Sequence, residues 1–216
     1  MSNGPTNGLE RESAFAVLRK FARPRTNAER CELCSAILAE EHPHLLELST
    51  RRIQCACDPC AILFSGQSDG RYRRVPRRCR LLANFQITDE QWESLMLPIN
   101  LAFFFRDSPS GHVIAMYPSP AGATESLLSL DAWSDLQAEN PALQKMESDV
   151  EALLVNRVGA SADYFLVPID ECYRLVGLIR SNWRGLSGGT EVWKEIKNFF
   201  TALKRKCGVA TEVVSA

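Results

Sequence analysis

Histidine is scarce in this sequence. There are three, His42, His44 and His112, in 216 residues. Serine–histidine and cysteine–histidine catalysis both need an imidazole placed by a recognisable neighbour. Only His112 lies outside a cysteine-rich stretch, at the start of an expected strand, and no catalytic motif accompanies it. Charge of one sign is also missing. Lys+Arg number 25 and Asp+Glu 26, a net charge of −1, so no global field draws the chain towards nucleic acid or acidic membranes. Long apolar runs are absent. The longest, Leu95 to Phe105, is broken by Pro98 and Asn100 and is too short to cross a bilayer. The first ten residues are polar, and no apolar signal segment follows them. The expectation is a cytoplasmic protein with no membrane contact. Gly185-Leu186-Ser187-Gly188-Gly189 precedes a helix but lacks the Gly-Lys-Ser/Thr of a phosphate-binding loop, so it reads as a connection between packed helices. No repeat occurs at a solenoid period.

Cysteine, by contrast, is plentiful. Of eight, five fall within 30 residues, at 31, 34, 55, 57 and 60. In a reducing compartment such a cluster points to metal or redox chemistry before disulfides. Cys31-x2-Cys34 and Cys57-x2-Cys60 are separated by 22 residues, room for two short strands and a turn. Two such knuckles brought together by a hairpin supply four thiolates in a tetrahedron, which suits zinc. Cys55 lies two residues before Cys57, on the same side if the strand continues, and His44 offers an imidazole, so either can replace a member of the tetrad. An iron–sulfur cluster, also held by thiolates, is the alternative cofactor, which would make the chain a redox protein. A thiol-redox CxxC requires a helix N-terminus, and Glu32-Leu33 lend it no support. Of the other cysteines, Cys172 reads as core, Cys207 as close to a frayed terminus and Cys79 as a thiol among arginines.

The remaining elements follow from periodicity and punctuation. Residues 1–7 read as disordered and about 9–21 as a short helix ended by Arg23-Pro24-Arg25. Leu45–Leu48, Ile53–Ala56 and Tyr72–Val75 read as strands. The run from Arg71 to Arg80 holds six arginines. It could bind nucleic acid, but with Tyr72 as its one aromatic a solvated strand edge and loop is the better reading. Thr88-Asp89-Glu90-Gln91 is a capping box. Leu101–Phe105 and Val113–Tyr117 flank Asp107-Ser108-Pro109-Ser110-Gly111 as a hairpin whose continuous apolarity predicts burial on both faces. A turn is expected at Pro118–Gly122. Asp131 can cap a helix through Leu136, and Asn140-Pro141 can open one towards Leu153. Tyr164–Val167 reads as a strand. Asp170 can cap a helix with Cys172, Leu175, Val176, Ile179 and Trp183 on one face. A final helix carries Trp193, Ile196, Phe199, Phe200 and Leu203 before the basic Lys204-Arg205-Lys206.

Further along the same chain, several local patterns occur together. They are Cys31-Glu-Leu-Cys34, His42-Pro-His44-Leu, Cys55-Ala-Cys57-Asp-Pro-Cys60, Leu101-Ala-Phe-Phe-Phe-Arg106, Tyr117 to Ser126, Pro168-Ile-Asp-Glu-Cys-Tyr173 and Trp183-Arg-Gly185. In these the chain resembles, over about residues 28–205, a bacterial family with no assigned function. Members of that family look to be encoded near uptake nickel–iron hydrogenase genes. The resemblance implies an accessory role in hydrogenase assembly or metal-centre delivery, with a hydrogenase or its maturation machinery as protein partner.

The expected architecture is α+β, with residues 1–27 as a disordered N-terminus and short helix. A small zinc-ribbon-like module at 28–65 is joined to a mixed α+β domain at 70–206. The expected function is that of a non-enzymatic metal-binding accessory protein, with metal at Cys31, Cys34, Cys57 and Cys60.

Overall fold

The computed structural model describes residues 28–66, 70–126, 130–185 and 188–209. The expected N-terminal helix at about 9–21 lies outside them. Two sheets and five α-helices make up the described chain, a mixed α+β architecture.

The small sheet comes first. β1 (His44–Glu47) and β2 (Arg52–Cys55) form a hairpin, and β3 (Tyr72–Arg74) pairs with the other edge of β1, giving the antiparallel order β2-β1-β3. Helix α1 (Asp58–Ser65) follows β2 directly, with Pro59 in its first turn, where a missing N–H costs nothing. The order is therefore a cysteine turn, a hairpin and a helix. Cys57 occupies the N-cap position of the helix, without a side-chain capping bond, and Cys60 lies in its first turn. This departs from the two-knuckle ribbon, because Asp58-Pro59 starts a helix where a second knuckle was expected.

The large sheet has seven strands in the order β10-β4-β9-β8-β5-β6-β7. They are β4 (Arg80–Leu81), β5 (Leu101–Arg106), β6 (Val113–Ser119), β7 (Gly122–Ser126), β8 (Glu151–Asn156), β9 (Asp163–Pro168) and β10 (Gly208–Val209). All neighbours are antiparallel except β10 and β4. The expected hairpin is β5–β6, with Phe103 opposite Met116 and Phe105 opposite Ile114.

Both faces of the sheet are covered. Leu101, Phe103, Phe105, Leu154 and Phe165 pack against α4 (Ile169–Asn182) and α5 (Gly189–Lys206). Ala102, Phe104, Leu153, Val155 and Leu166 face the other way, against Trp92 of α2 (Asp89–Ser94), Trp133 and Leu136 of α3 (Leu130–Glu139) and Leu143 of a 3₁₀ turn (Pro141–Lys145). Period-2 alternation thus exists geometrically but not chemically, since both sides are apolar. The small sheet joins the first core through Leu46 and Val75.

Several expectations are corrected. The helix opened by Asn140-Pro141 is one 3₁₀ turn, and the residues up to Leu153 enter β8, the strand between β9 and β5. Asn140 makes no capping bond. Its buried amide instead ties Gln86 N–H, Gln86 C=O and Leu136 C=O together. The turn at Pro118–Gly122 is tighter than expected, because β6 runs to Ser119 and β7 begins at Gly122. Asp170 lies within the first turn of α4, whose cap position is Pro168. Trp193 is 44% exposed, and Val192 takes the inward place on α5. Cys207 is buried and disulfide-bonded to Cys79, with Cα atoms 4.9 Å apart. Thr88 and Gln91 do form the expected capping box at α2. No helix among the described residues is long and apolar enough to cross a membrane.

Candidate metal centre

The cysteine turn at 31–34 is built by the backbone. Ser35 N–H donates to Cys31 C=O at 2.8 Å, Cys31 N–H donates to Ala36 C=O at 2.8 Å, and Ser35 takes a positive φ of 64°. This folds Cys31 and Cys34 towards one point. The first turn of α1 brings Cys57 and Cys60 to the same point, since residues three apart share a helix face. One sulfur from each of the four lies within 4.8 Å of the other three, and Cys34 Sγ is 3.6 Å from Cys57 Sγ. Cys31 and Cys60 are buried against Leu45, Ala56, Ala61 and Tyr72, while Cys34 is exposed. Four thiols so placed can hold a metal ion.

The electrostatics of the four are uneven. Burial opposes ionisation of Cys31, but hydrogen bonds from the backbones of Cys57, Leu33 and Cys34 outweigh it and bring its pKa down to about 6. Cys60 is pushed far up, first by burial and then by its neighbouring thiols. Cys34 is raised despite a bond from the backbone of Ala36, because Cys31 and Cys57 crowd it. Cys31 readily carries a thiolate, and a bound cation would favour ionisation of Cys34 and Cys60 beside it.

His44 and Cys55 are not in this group. β2 ends at Cys55, and the chain turns before Cys57, so the two cysteines do not share a strand face. Cys55 lies opposite His44 across the hairpin and, with His42, forms a second cluster whose donor atoms are within 4.8 Å of one another. His42 is the member that spacing within the cysteine motifs did not single out. The His-x-His spacing that ends at the first residue of β1 is the signal that could have found it.

The arginine run is largely taken up by carboxylates. Arg71 holds Glu47 at 2.7 Å, Arg73 holds Asp149 at 3.2 Å and Arg78 holds both Glu151 and Glu147 at 2.6 and 2.9 Å. Arg74 lies 3.8 Å from Asp58. The run is the solvated edge strand and loop expected, and its pairs also tie the small sheet and that edge to the rest of the fold. Cys172 is fully buried, as expected, and its thiol is raised by that burial.

No curated protein and no solved structure matches the chain. One family model does match, over residues 30–207, a span that holds the four clustered cysteines and every strand of both sheets except β10. The chain belongs to that family, DUF5947, a family of unknown function.

Proposed function

We propose that the protein is a cytoplasmic, non-enzymatic accessory protein. In this reading it binds structural zinc through Cys31, Cys34, Cys57 and Cys60 and acts on a protein partner in nickel–iron hydrogenase assembly or maturation. The observation that carries the metal reading is the convergence of four sulfurs within 4.8 Å. Zn–S bonds of about 2.3 Å in a tetrahedron put sulfurs about 3.8 Å apart. The 3.6 Å between Cys34 and Cys57 fits that edge before any ion draws the thiolates together. A cluster of several irons would spread its thiolates by the breadth of its own core, so the spacing favours a single ion over the iron–sulfur alternative. The site also has a structural task to do. The cysteine turn and α1 are anchored by a small cluster of six buried residues, two of which are Cys31 and Cys60, with Leu33, Leu38, Cys57 and Phe64 packed against it. The hydrogenase link rests on the resemblance in the motifs quoted above. With four of its six arginines paired internally, the 71–80 run favours no nucleic-acid reading.

The test is elemental analysis of anaerobically purified protein, wild type and Cys57→Ser, with an absorption spectrum. The expected wild type is colourless, contains zinc, and loses both that ion and the fold of residues 28–66 on substitution. Stoichiometric iron with visible absorption would replace zinc by the redox alternative. Absence of both metals would remove the metal reading. For the partner, deletion of the gene in a host that makes an uptake hydrogenase should lower hydrogenase activity while leaving the amount of its subunits unchanged.

A further inference from the structure

The second cluster lies at the junction of the small sheet and α4. His42 lies two residues before His44, the first residue of β1, and Cys55 is the cross-strand partner of His44. Three donors therefore reach one side of the hairpin, within 4.8 Å of one another.

Each imidazole is oriented by a partner on Nδ1. His42 Nδ1 lies 2.9 Å from the Ala39 carbonyl oxygen, which can only accept, so Nδ1 carries the proton and Nε2 the lone pair. His44 Nδ1 lies 2.7 Å from Asp170 Oδ2, a carboxylate at the start of α4. This is the arrangement that fixes the tautomer and ring plane of a metal-bound histidine. The His42 side chain is 7% exposed, and its Nε2 is buried with no hydrogen-bond partner among the described residues. A buried lone pair of that kind is rare in a folded protein, and it points at a missing ligand. The two rings stand edge to face, 5.0 Å between centroids, so they converge rather than stack.

We propose that His42, His44 and Cys55 form a second metal site, separate from the four-cysteine centre, for a borderline divalent ion of the zinc class. Two imidazoles and one thiolate suit such an ion. Three protein ligands leave a coordination position open, the pattern of a site that takes water or an incoming donor rather than a closed structural site. That position adjoins a cleft whose lining includes His42, His44, Asp170 and Tyr173, so an exogenous ligand has access. Asp170 is a positioning residue. It contacts His44 and not the ion.

The proposal is independent of the identity of the first ion, and zinc stoichiometry separates the two. Reduced wild-type protein, loaded with zinc and freed of excess, is expected to hold two equivalents. His42→Ala/Cys55→Ser is expected to hold one and to keep its melting transition, and Cys57→Ser to lose the other ion. Asp170→Asn should retain the second ion with 10- to 100-fold weaker affinity in competition with a chelator. Cobalt(II) gives a readout on unmodified protein. The second equivalent should add ligand-field bands of a mixed nitrogen–sulfur set, distinct from those of four thiolates. One equivalent that depends on Cys57 alone, a double variant that still holds two, or a second cobalt spectrum identical to the first would overturn the proposal. One equivalent that depends on His42 and Cys55 would uphold it and overturn the four-cysteine reading instead.

Discussion

Glu151 brings a carboxylate into the middle of the fold, where its side chain is 1% exposed. Arg78 Nε donates to it at 2.6 Å, and Glu147 N–H donates to its other oxygen at 2.9 Å. Removing the arginine leaves a buried charge with one weak partner. Arg78→Ala should therefore cost about 2–3 kcal/mol in denaturant unfolding, less than a fully buried pair because Arg78 itself is half solvated. Arg78→Ala together with Glu151→Gln should recover part of that loss. A single variant as stable as wild type would show that water reaches Glu151. The arginine run was visible in the sequence, but its use was not. Glu47, Asp149 and Glu151 lie far from it or across a turn, and only the fold brings them alongside. The cysteines divide in the same way. The four-thiol centre was legible because each pair is local, three residues apart in sequence. His44 and Cys55 were legible only as substitutes in that centre, because their grouping with His42 depends on the pairing of β1 with β2, and the Asp170 that orients His44 is 126 residues away.

At the scale of elements, the β5–β6 hairpin could be read from its turn and apolar strands, whereas β8 could not. Its sequence, Glu-Ala-Leu-Leu-Val-Asn, is buried at all six positions, so it shows no polar alternation and is equally acceptable as the end of a helix. Asn140-Pro141 has the pattern of a helix start, yet it opens only one 3₁₀ turn. A strand covered on two sides makes a distinctive mutational prediction. Phe103 packs under α4, 6.0 Å from the Tyr173 ring, and Phe104 stacks on Trp133 at 5.4 Å on the opposite face. Phe103→Ala and Phe104→Ala should each cost about 3–5 kcal/mol. A half-exposed strand would give one large and one small loss. Paired unfolding curves for these neighbours would show which holds, and a near-neutral Phe104→Ala would mean that α3 does not cover the sheet.

At the scale of the whole molecule, the Cys79–Cys207 disulfide joins points 128 residues apart, just before β4 and just before β10. Between them run every strand of the large sheet except β10, and four of the five α-helices, α2 to α5. The β10–β4 ladder has two residue pairs, too few to hold the chain end by itself, so α5 and the cross-link fix that edge. By the chain-entropy account, closing a loop of that length destabilises the unfolded state by about 4–5 kcal/mol. Oxidised wild type should exceed Cys207→Ser in stability by up to that amount. A phosphine reductant should abolish the difference and leave the variant unchanged. Thiol counting on denatured, metal-stripped protein supplies the independent readout, with six free cysteines before reduction and eight after. Eight before reduction would remove the cross-link from the account. In the reducing cytoplasm proposed for this protein the pair would stand open. The edge at β4 and β10 would then depend on the burial of Cys207 and on α5 alone.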